Sequence, residues 1–287
     1  MAIVLGPNQY GKAEIRLLHV SRDNAAHAIT DLSVSVALSG ELTATHLSGD
    51  NSAVLTTDAQ KNTVFAFARE YGVGEIEDFA TRLARHFVES QAAISFARVA
   101  VEQYPWHQLG NHSFSRAGQE VRTATVSHDG SDFWVLSGLR DLTVLNTAGS
   151  EFWGFAKDRY TTLNETTDRI LATAVNAQWR HASPVAAEAG WGESFCAARE
   201  AMLGAFADTH SYSLQQTLFA MGQRVLAARP DIAEIRLSLP NKHHFEVDMS
   251  PFGLVNGGEV FYASDRPYGL IEGTITRDDA PPPGKAW

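Results

Sequence analysis

With 287 residues, 44% hydrophobic and 20% charged, the chain has the composition of a globular protein and length enough for about two domains, each with a buried core. A formal charge of −10 argues against nucleic acid as a general partner, because binding a phosphate backbone needs a basic surplus. The single cysteine, Cys196, excludes an intramolecular disulfide framework and any multi-cysteine metal site.

From the first residue onward, Met1-Ala2-Ile3-Val4-Leu5-Gly6 lacks the basic start and long apolar stretch of a secretory signal, and no run approaches the length of a membrane span. Ala13–Val20 and Asp31–Leu38 read as strands by alternation and β-branched content, the second closed by Gly40 and Glu41. Thr57-Asp58 stand before the helical run Lys61–Ala68, where a hydroxyl or carboxylate can cap the first turn. Ile76–Phe79 opens a second helix whose Phe79, Leu83 and Phe87 recur at four-residue steps, one stripe to lay on a sheet. Ile94–Val101 and Val121–Val126 read as two more strands. His128-Asp129-Gly130-Ser131-Asp132 is then a turn cluster suited to a domain joint.

Beyond it the same order restarts. Val135–Leu145 and Arg169–Trp179 read as strands, separated by an aromatic, Thr-rich excursion from Phe152 to Leu163. Helical periodicity returns at Glu193–Phe206, where Cys196 sits among Phe195, Ala197 and Ala198 as an inert position, and again at Leu214, Leu218, Met221 and Val225. Ile235–Leu239 alternates into Pro240–Asp248, and Gly258 to Ile275 closes the set. The sum is β-β-α-α-β-β, twice, with residues 1–130 as the first domain and 131–278 as the second. Residues 279–287, proline-rich and polar, are expected to be a disordered tail. Two helices cover one face of a four-stranded antiparallel sheet and leave its edges open. A barrel closed by a symmetric homo-oligomer removes those edges, with ligand sites at subunit junctions.

Pro240-Asn241-Lys242-His243-His244-Phe245-Glu246-Val247-Asp248 carries the most chemistry. Period two sets Asn241 and His243 on one face, an amide beside a group that titrates near neutrality. The ordinary reading of a His-rich strand end is surface decoration. Adjacent strand residues point to opposite faces, so His243 and His244 cannot chelate one ion from a regular strand. His244-Phe245-Glu246 has no cysteine pair downstream, and the chain has no His-x-x-His or Cys-x-x-Cys cluster, so no metal is expected.

Six motifs stand in order along the chain: Tyr10-Gly11-Lys12; Thr57-Asp58 followed by Lys61-Asn62-Thr63; Phe152-Trp153-Gly154-Phe155; Asp168-Arg169-Ile170-Leu171; Ser213-Leu214-Gln215; and Leu239-Pro240-Asn241-Lys242-His243. Together they resemble the urate oxidase (uricase) family, from about Tyr10 to Arg277. The resemblance implies an α+β chain of two tandem tunnelling-fold domains with antiparallel sheets, assembled into a β-barrel tunnel as a homotetramer. It also implies cofactor-independent oxidation of urate by dioxygen to 5-hydroxyisourate and hydrogen peroxide, with allantoin arising downstream.

By that resemblance Phe152 is the stacking face for the purine, where an offset aromatic contact adds about 1 kcal/mol beyond burial. Its plainer alternative is a core cluster with Trp153 and Phe155. Arg169 is the planar fork that clamps the anion's edge, against the reading of Asp168-Arg169 as a surface pair. Gln215 completes the plane with one donor and one acceptor, and Leu214 contributes its backbone N–H. Gln215 and Gln216 lie near a helix N-terminus, where free N–H groups favour an anion. Asn241 and Thr57 hold dioxygen, and later water, above the purine plane. Lys12, Thr57 and His243 form the proton relay, and Asp58 touches the substrate through its backbone. An amine at its reference pKa is protonated, so Lys12 needs burial or a cationic neighbour to serve as a base. Lys12, Thr57 and Asp58 lie in the first copy, and the resemblance implies that they reach in from a neighbouring subunit.

Other readings are a zinc enzyme, another tunnelling-fold activity on pterins such as an aldolase or cyclohydrolase, and a non-catalytic purine-binding barrel oligomer. Three departures from the family pattern stand out. His244 replaces a frequent aromatic and is expected to face away from the site. Thr56 replaces an alanine before the Thr-Asp pair. The chain closes Pro283-Gly284-Lys285-Ala286-Trp287 without a peroxisomal Ser-Lys-Leu, which favours a bacterial-type cytoplasmic enzyme.

Overall fold

The computed structural model describes residues 2–185, 188 and 190–287. Two compact units divide the chain: one runs to Gly138 and adds Trp179–Glu193 and Pro281–Trp287, the other comprises Leu139–Gln178 and Ser194–Ala280. The division thus falls elsewhere than the turn cluster at 128–132.

In the first unit β1 (Tyr10–Ser21), β2 (Ala28–Gly40), β3 (Ile94–Tyr104) and β6 (Val121–His128) pair in that order, each antiparallel to the next. Between β2 and β3 come a short α1 (Thr43–Ser48), α2 (Thr57–Glu70) and α3 (Ile76–Ser90). Period two explains the layering: Leu32, Val34, Val36 and Leu38 of β2 are buried on the face that packs under the helices. From α3 the stripe Phe79, Leu83 and Phe87 descends onto them with no exposed surface, as its four-residue spacing requires. Truncating such a phenylalanine to alanine costs about 3–5 kcal/mol. A hairpin of β4 (Trp106–Gly110) and β5 (Ser113–Arg116), not legible in the hydrophobic pattern, is inserted before β6.

A buried polar link ties α3 to the sheet. Glu77 is fully buried; its Oε1 accepts from Ser137 Oγ at 2.7 Å and its Oε2 from Arg122 Nη2 at 2.8 Å. The Ser137 hydroxyl also meets His181 Nε2 at 3.0 Å.

β7 (Phe133–Asn146) and β8 (Leu171–His181) each contribute residues to both units, as does α4 (Gly190–Asp208). Cys196 is an exposed free thiol on α4. The second unit continues with α5 (Leu214–Ala228), β9 (Ile232–Pro240), β10 (His243–Glu246), a 3-10 turn at Ser250–Phe252, β11 (Phe261–Ser264) and β12 (Leu270–Thr276). Its sheet order is β7-β8-β9-β12, with β9 and β12 antiparallel, so the β-β-α-α-β-β order recurs. Leu214, Leu218, Met221 and Val225 of α5 are buried, and glycine lets the helix settle on β12. A Cβ at Gly222 would meet Ile275 Cδ1 at 2.6 Å, and one at Gly273 would meet Leu218 Cδ2 at 2.8 Å.

Two expectations change. The run through Pro240 is not one strand: β9 stops at Pro240, and β10 pairs instead with β11, His243 opposite Ser264. Proline lacks the N–H that a continuing ladder needs. The tail expected to be disordered is packed on the first unit. Arg98 Nη2 donates to Lys285 O at 3.0 Å and Trp287 O at 2.8 Å, Lys285 pairs with Asp129 at 3.0 Å, and Ala286 is buried. The Asp129 carboxyl is held down to about 2, chiefly by the Asp132 backbone N–H and further by Lys285. Among the described residues no helix is long and apolar enough to cross a membrane.

Candidate functional site

The second unit contains a cavity of about 520 Å³ whose wall includes Phe152, Arg169, Asn241 and His243. Phe152 is fixed by an isolated bridge: its N–H donates to Thr166 O at 2.8 Å and its carbonyl accepts from Thr166 N at 3.0 Å. Gly154 follows at φ 71°, a left-handed turn that glycine adopts without strain, and its N–H donates to Glu165 Oε1 at 2.9 Å. The Phe152 ring stacks on Phe155 with centroids 5.0 Å apart, while Trp153 points to solvent. Only Trp153 is thus separated from the other two, and Phe152 both stacks on Phe155 and lines the cavity wall.

Arg169 lies just before β8, and its guanidinium carbon sits 5.0 Å from the Phe152 ring centroid. Its Nε is buried and makes no hydrogen bond, and burial pushes the guanidinium pKa down from its ordinary value. The neighbouring Asp168 does not form the surface pair with Arg169. Its carboxylate accepts from Gly149 N at 2.9 Å, and Thr166 Oγ1 donates to its carbonyl at 2.6 Å, so the acid shapes the loop. A desolvated guanidinium with an unused donor suits a planar anion that supplies acceptors in the same plane.

Asn241 is held by its backbone. Its N–H donates to Gly269 O at 2.8 Å, it bridges Thr173 of β8, and the next N–H, of Lys242, donates to Ala172 O at 2.8 Å. Thr173, fully buried, donates its hydroxyl to Pro240 O at 2.9 Å. His243 then opens β10 with its ring 5.8 Å from that of Phe245, two residues on and on the same face. Burial lowers the His243 pKa, and the charges of Arg169 and His244 add to the effect, so the ring stays neutral to lower pH than a solvated imidazole. A neutral imidazole offers one nitrogen to take a proton and another to give one. His244, expected to face away, also contributes to the cavity wall, and its Nδ1 lies 3.0 Å from Lys242 O. Phe155, which closes the Phe152–Phe155 motif, braces the stacking ring, and Thr173 and Gly269, which carry no motif, brace the segment at Asn241; a hydroxyl within the Arg169–Trp179 strand is the only sequence sign of Thr173.

The other candidates are placed elsewhere. Leu214 and Gln215 are the first two residues of α5, which Ser213 caps by accepting from Gln216 N at 3.2 Å. Leu214 is buried and Gln215 exposed, and neither lines the cavity. Lys12, Thr57 and Asp58 belong to the first unit and do not line it either. Thr57 and Asp58 are not caps but first-turn residues of α2; the cap is Thr56, whose side chain accepts from Ala59 N at 3.1 Å. Asp58 pairs with Lys61 at 2.5 Å and accepts from Asn62 Nδ2 at 3.0 Å. Its carboxyl is held below the usual range first by the Lys61 hydrogen bond and charge, with further contributions from Asn62 and the charge of Lys12. Among the described residues, no group of three or more His, Cys, Asp or Glu side chains is arranged to hold a metal ion.

A family model described as uricase matches residues 8–127 and 135–272. The chain is 50% identical to a uricase from Arthrobacter globiformis over 287 residues, covering 99% of this chain and 94% of the relative. It is 36% identical to a uricase from Dictyostelium discoideum, covering 94% and 96%. The crystal structure of uricase from Arthrobacter globiformis superposes with a TM-score of 0.93 at 50% identity, covering 98% of each chain. That of a Bacillus fastidious uricase superposes at 0.78 and 23% identity, covering 95% and 94%, and so shares the fold.

Proposed function

Since the chain belongs to the uricase family, we propose that it oxidises urate with dioxygen and water to 5-hydroxyisourate and hydrogen peroxide in purine catabolism. The observation that carries the proposal is the cavity of the second unit, where an aromatic face, a desolvated guanidinium, an amide and a neutral imidazole converge. Urate is a flat anion. Phe152 supplies its stacking surface, and Arg169 turns its fork to the pyrimidine-side edge. Gln215 and the Leu214 backbone N–H complete the plane. Asn241 and Thr57 hold dioxygen, and later water, over the ring.

Urate is itself the electron donor. On losing a second proton it becomes rich enough in electrons to reduce dioxygen, two electrons leaving the purine and two protons ending on peroxide. Water then adds to the oxidised ring to give the 5-hydroxy product. The reaction so written needs no metal or organic cofactor, and the protein contributes position, water exclusion and proton management. Lys12, Thr57 and His243 move the protons, and the Asp58 backbone steadies the substrate.

The complete site belongs to a homotetramer, with Lys12, Thr57 and Asp58 entering from a neighbouring subunit to close a β-barrel tunnel. What supports this is that the cavity draws its wall wholly from the second unit and leaves those three residues out. A cytoplasmic location suits the lone, unpaired Cys196.

The decisive experiment mixes chelator-treated protein with urate in air and follows urate's ultraviolet band together with peroxide. One peroxide formed per urate lost is expected. Binding without oxygen consumption would leave a non-catalytic purine binder, and activity returning only with added metal would overturn the cofactor-free reaction.

A further inference from the structure

The first strand contains an irregularity whose effect falls on one residue. Along β1, Ile15 pairs with Val34 and Leu17 with Leu32, all on the face that packs beneath α2 and α3. Strict alternation carries that face back through residues 13 and 11 and turns even-numbered residues away. Yet Tyr10 pairs with Leu38 and Lys12 with Val36, and both of those partners are core residues. Residues directly opposite in an antiparallel pair share a face, so Tyr10 and Lys12 stand on the helix side as well.

The parity changes because the register shifts between Lys12 and Ile15. Ala13 and Glu14 together stand opposite Ser35 alone, which is a β-bulge. Glu14 adopts φ 56°, a left-handed conformation that costs a residue with a Cβ about 1–2 kcal/mol. The structure around it holds the strain: the Glu14 N–H donates to Ser35 Oγ at 3.0 Å. Gly11 reinforces the arrangement, because a Cβ there would lie 1.8 Å from Val36 O, so the backbone of β2 closes on this stretch as no other residue would permit.

The bulge has a chemical consequence. It turns Lys12 to the face of β1 that packs beneath the helices, among them α2, whose first turn holds Thr57 and Asp58, and the Lys12 charge is one of those that act on the Asp58 carboxyl. We infer that the Ala13–Glu14 bulge, fastened by the Ser35 hydroxyl, aims Lys12 at the N-terminus of α2, and that Glu14 and Ser35 are positioning residues for the reaction. This rests on the relay role proposed for Lys12. With two residues between Lys12 and Ile15, a regular strand would set them on opposite faces, and the bulge brings both to the helix side. A non-glycine residue in the left-handed region is the local cost of having both.

Inserting one alanine between Lys12 and Ala13 shifts Lys12 one place along the ladder and sends it to the other side of β1. The protein with this insertion is compared with Lys12→Ala and with the combined variant, each checked for folding by circular dichroism. Turnover is expected to fall about a hundredfold in the insertion variant, as in Lys12→Ala, with KM changed less than about threefold. The combined variant should be no slower than either alone, because the same contribution is lost once. A folded insertion variant in which Lys12→Ala still removes its full factor would overturn the inference.

If the insertion variant does not fold, Ser35→Ala and Ser35→Thr take its place. Loss of the acceptor should lower kcat about threefold to tenfold at constant KM, with threonine restoring it. Equal rates for wild type and Ser35→Ala would remove Ser35 from the assignment. The Asp58 titration, followed by carboxyl NMR, reads the aim of Lys12 without reference to turnover. It should move upward in the insertion variant as in Lys12→Ala, and no movement would again refute the aiming role. Lys12→Ala at full speed, with the Asp58 shift present, would instead strike down the relay while leaving the geometry standing.

Discussion

The Arg169 guanidinium carbon lies 5.0 Å from the Phe152 ring centroid, with its Nε buried and unpaired. The fork is thus already desolvated over the ring on which urate is proposed to stack. Arg169→Lys keeps the charge and loses the planar pair of donors. It should raise KM for urate by about tenfold to a hundredfold, the value of one or two hydrogen bonds to a charged group, with kcat little changed. Anaerobic binding of urate, followed by fluorescence, should weaken in parallel; intact binding with collapsed turnover would remove the clamp role.

His243→Ala should slow turnover by about 10²- to 10⁴-fold while affinity stays near wild type. Because burial, Arg169 and His244 all lower the His243 pKa, the acid limb of the wild-type rate profile should lie below the ordinary imidazole value. His244→Phe removes one of those charges, so the proton binds His243 at higher pH and the limb moves upward. A limb that moves down or stays would show that another group governs it. The same depression acts on folding. As pH falls below about 6.5 the unfolded chain binds a proton at this position before the folded one, and stability declines until the folded pKa is passed.

A site shared between subunits can be assembled from two damaged parents. Chains carrying Lys12→Ala and chains carrying His243→Ala, each nearly inactive, should regain activity when co-expressed or refolded together. Random assembly gives about a quarter of the sites both intact groups. No recovery in a demonstrably mixed oligomer would place both residues in one subunit's site.

Ser137→Ala takes away the hydroxyl that donates to the fully buried Glu77 and meets His181. Leaving a buried carboxylate oxygen without that donor should cost about 1–3 kcal/mol. Urea unfolding monitored by tryptophan fluorescence should show a lower midpoint with an unchanged slope.

Thr56→Ala removes the cap of α2 and should cost about 1 kcal/mol, whereas Thr57→Ala, one residue inside the helix, should cost stability much less. Turnover should respond in the opposite order, since Thr57 is the proposed relay hydroxyl. A pair of variants equal in both measurements would erase the distinction between cap and relay.

Much of the fold follows from hydrophobic period. The Phe79, Leu83, Phe87 stripe and the alternation of β2 both place their residues in the core as their spacing demands. What escapes the pattern is local backbone chemistry. The bulge at Ala13 and Glu14 has no glycine to announce it, and the four residues of β10 were absorbed into a longer apparent strand that Pro240 interrupts. Asn241 and His243 do meet at one cavity, though not by sharing a strand face: backbone bonds to Gly269 and Ala172 place the first, and the β10–β11 pair places the second. The tail's proline-rich, polar composition carried no sign of Arg98, whose donors capture its carbonyls from 187 and 189 residues away.

The Asn241 N–H is fastened to Gly269 and the Lys242 N–H to Ala172, entirely through main-chain groups. Nothing in that anchoring consults the side chain at 241. The position is therefore a socket in which amide, hydroxyl or alkyl groups can be exchanged while the frame stays put, and a substitution library there would read out chemistry with little interference from misfolding.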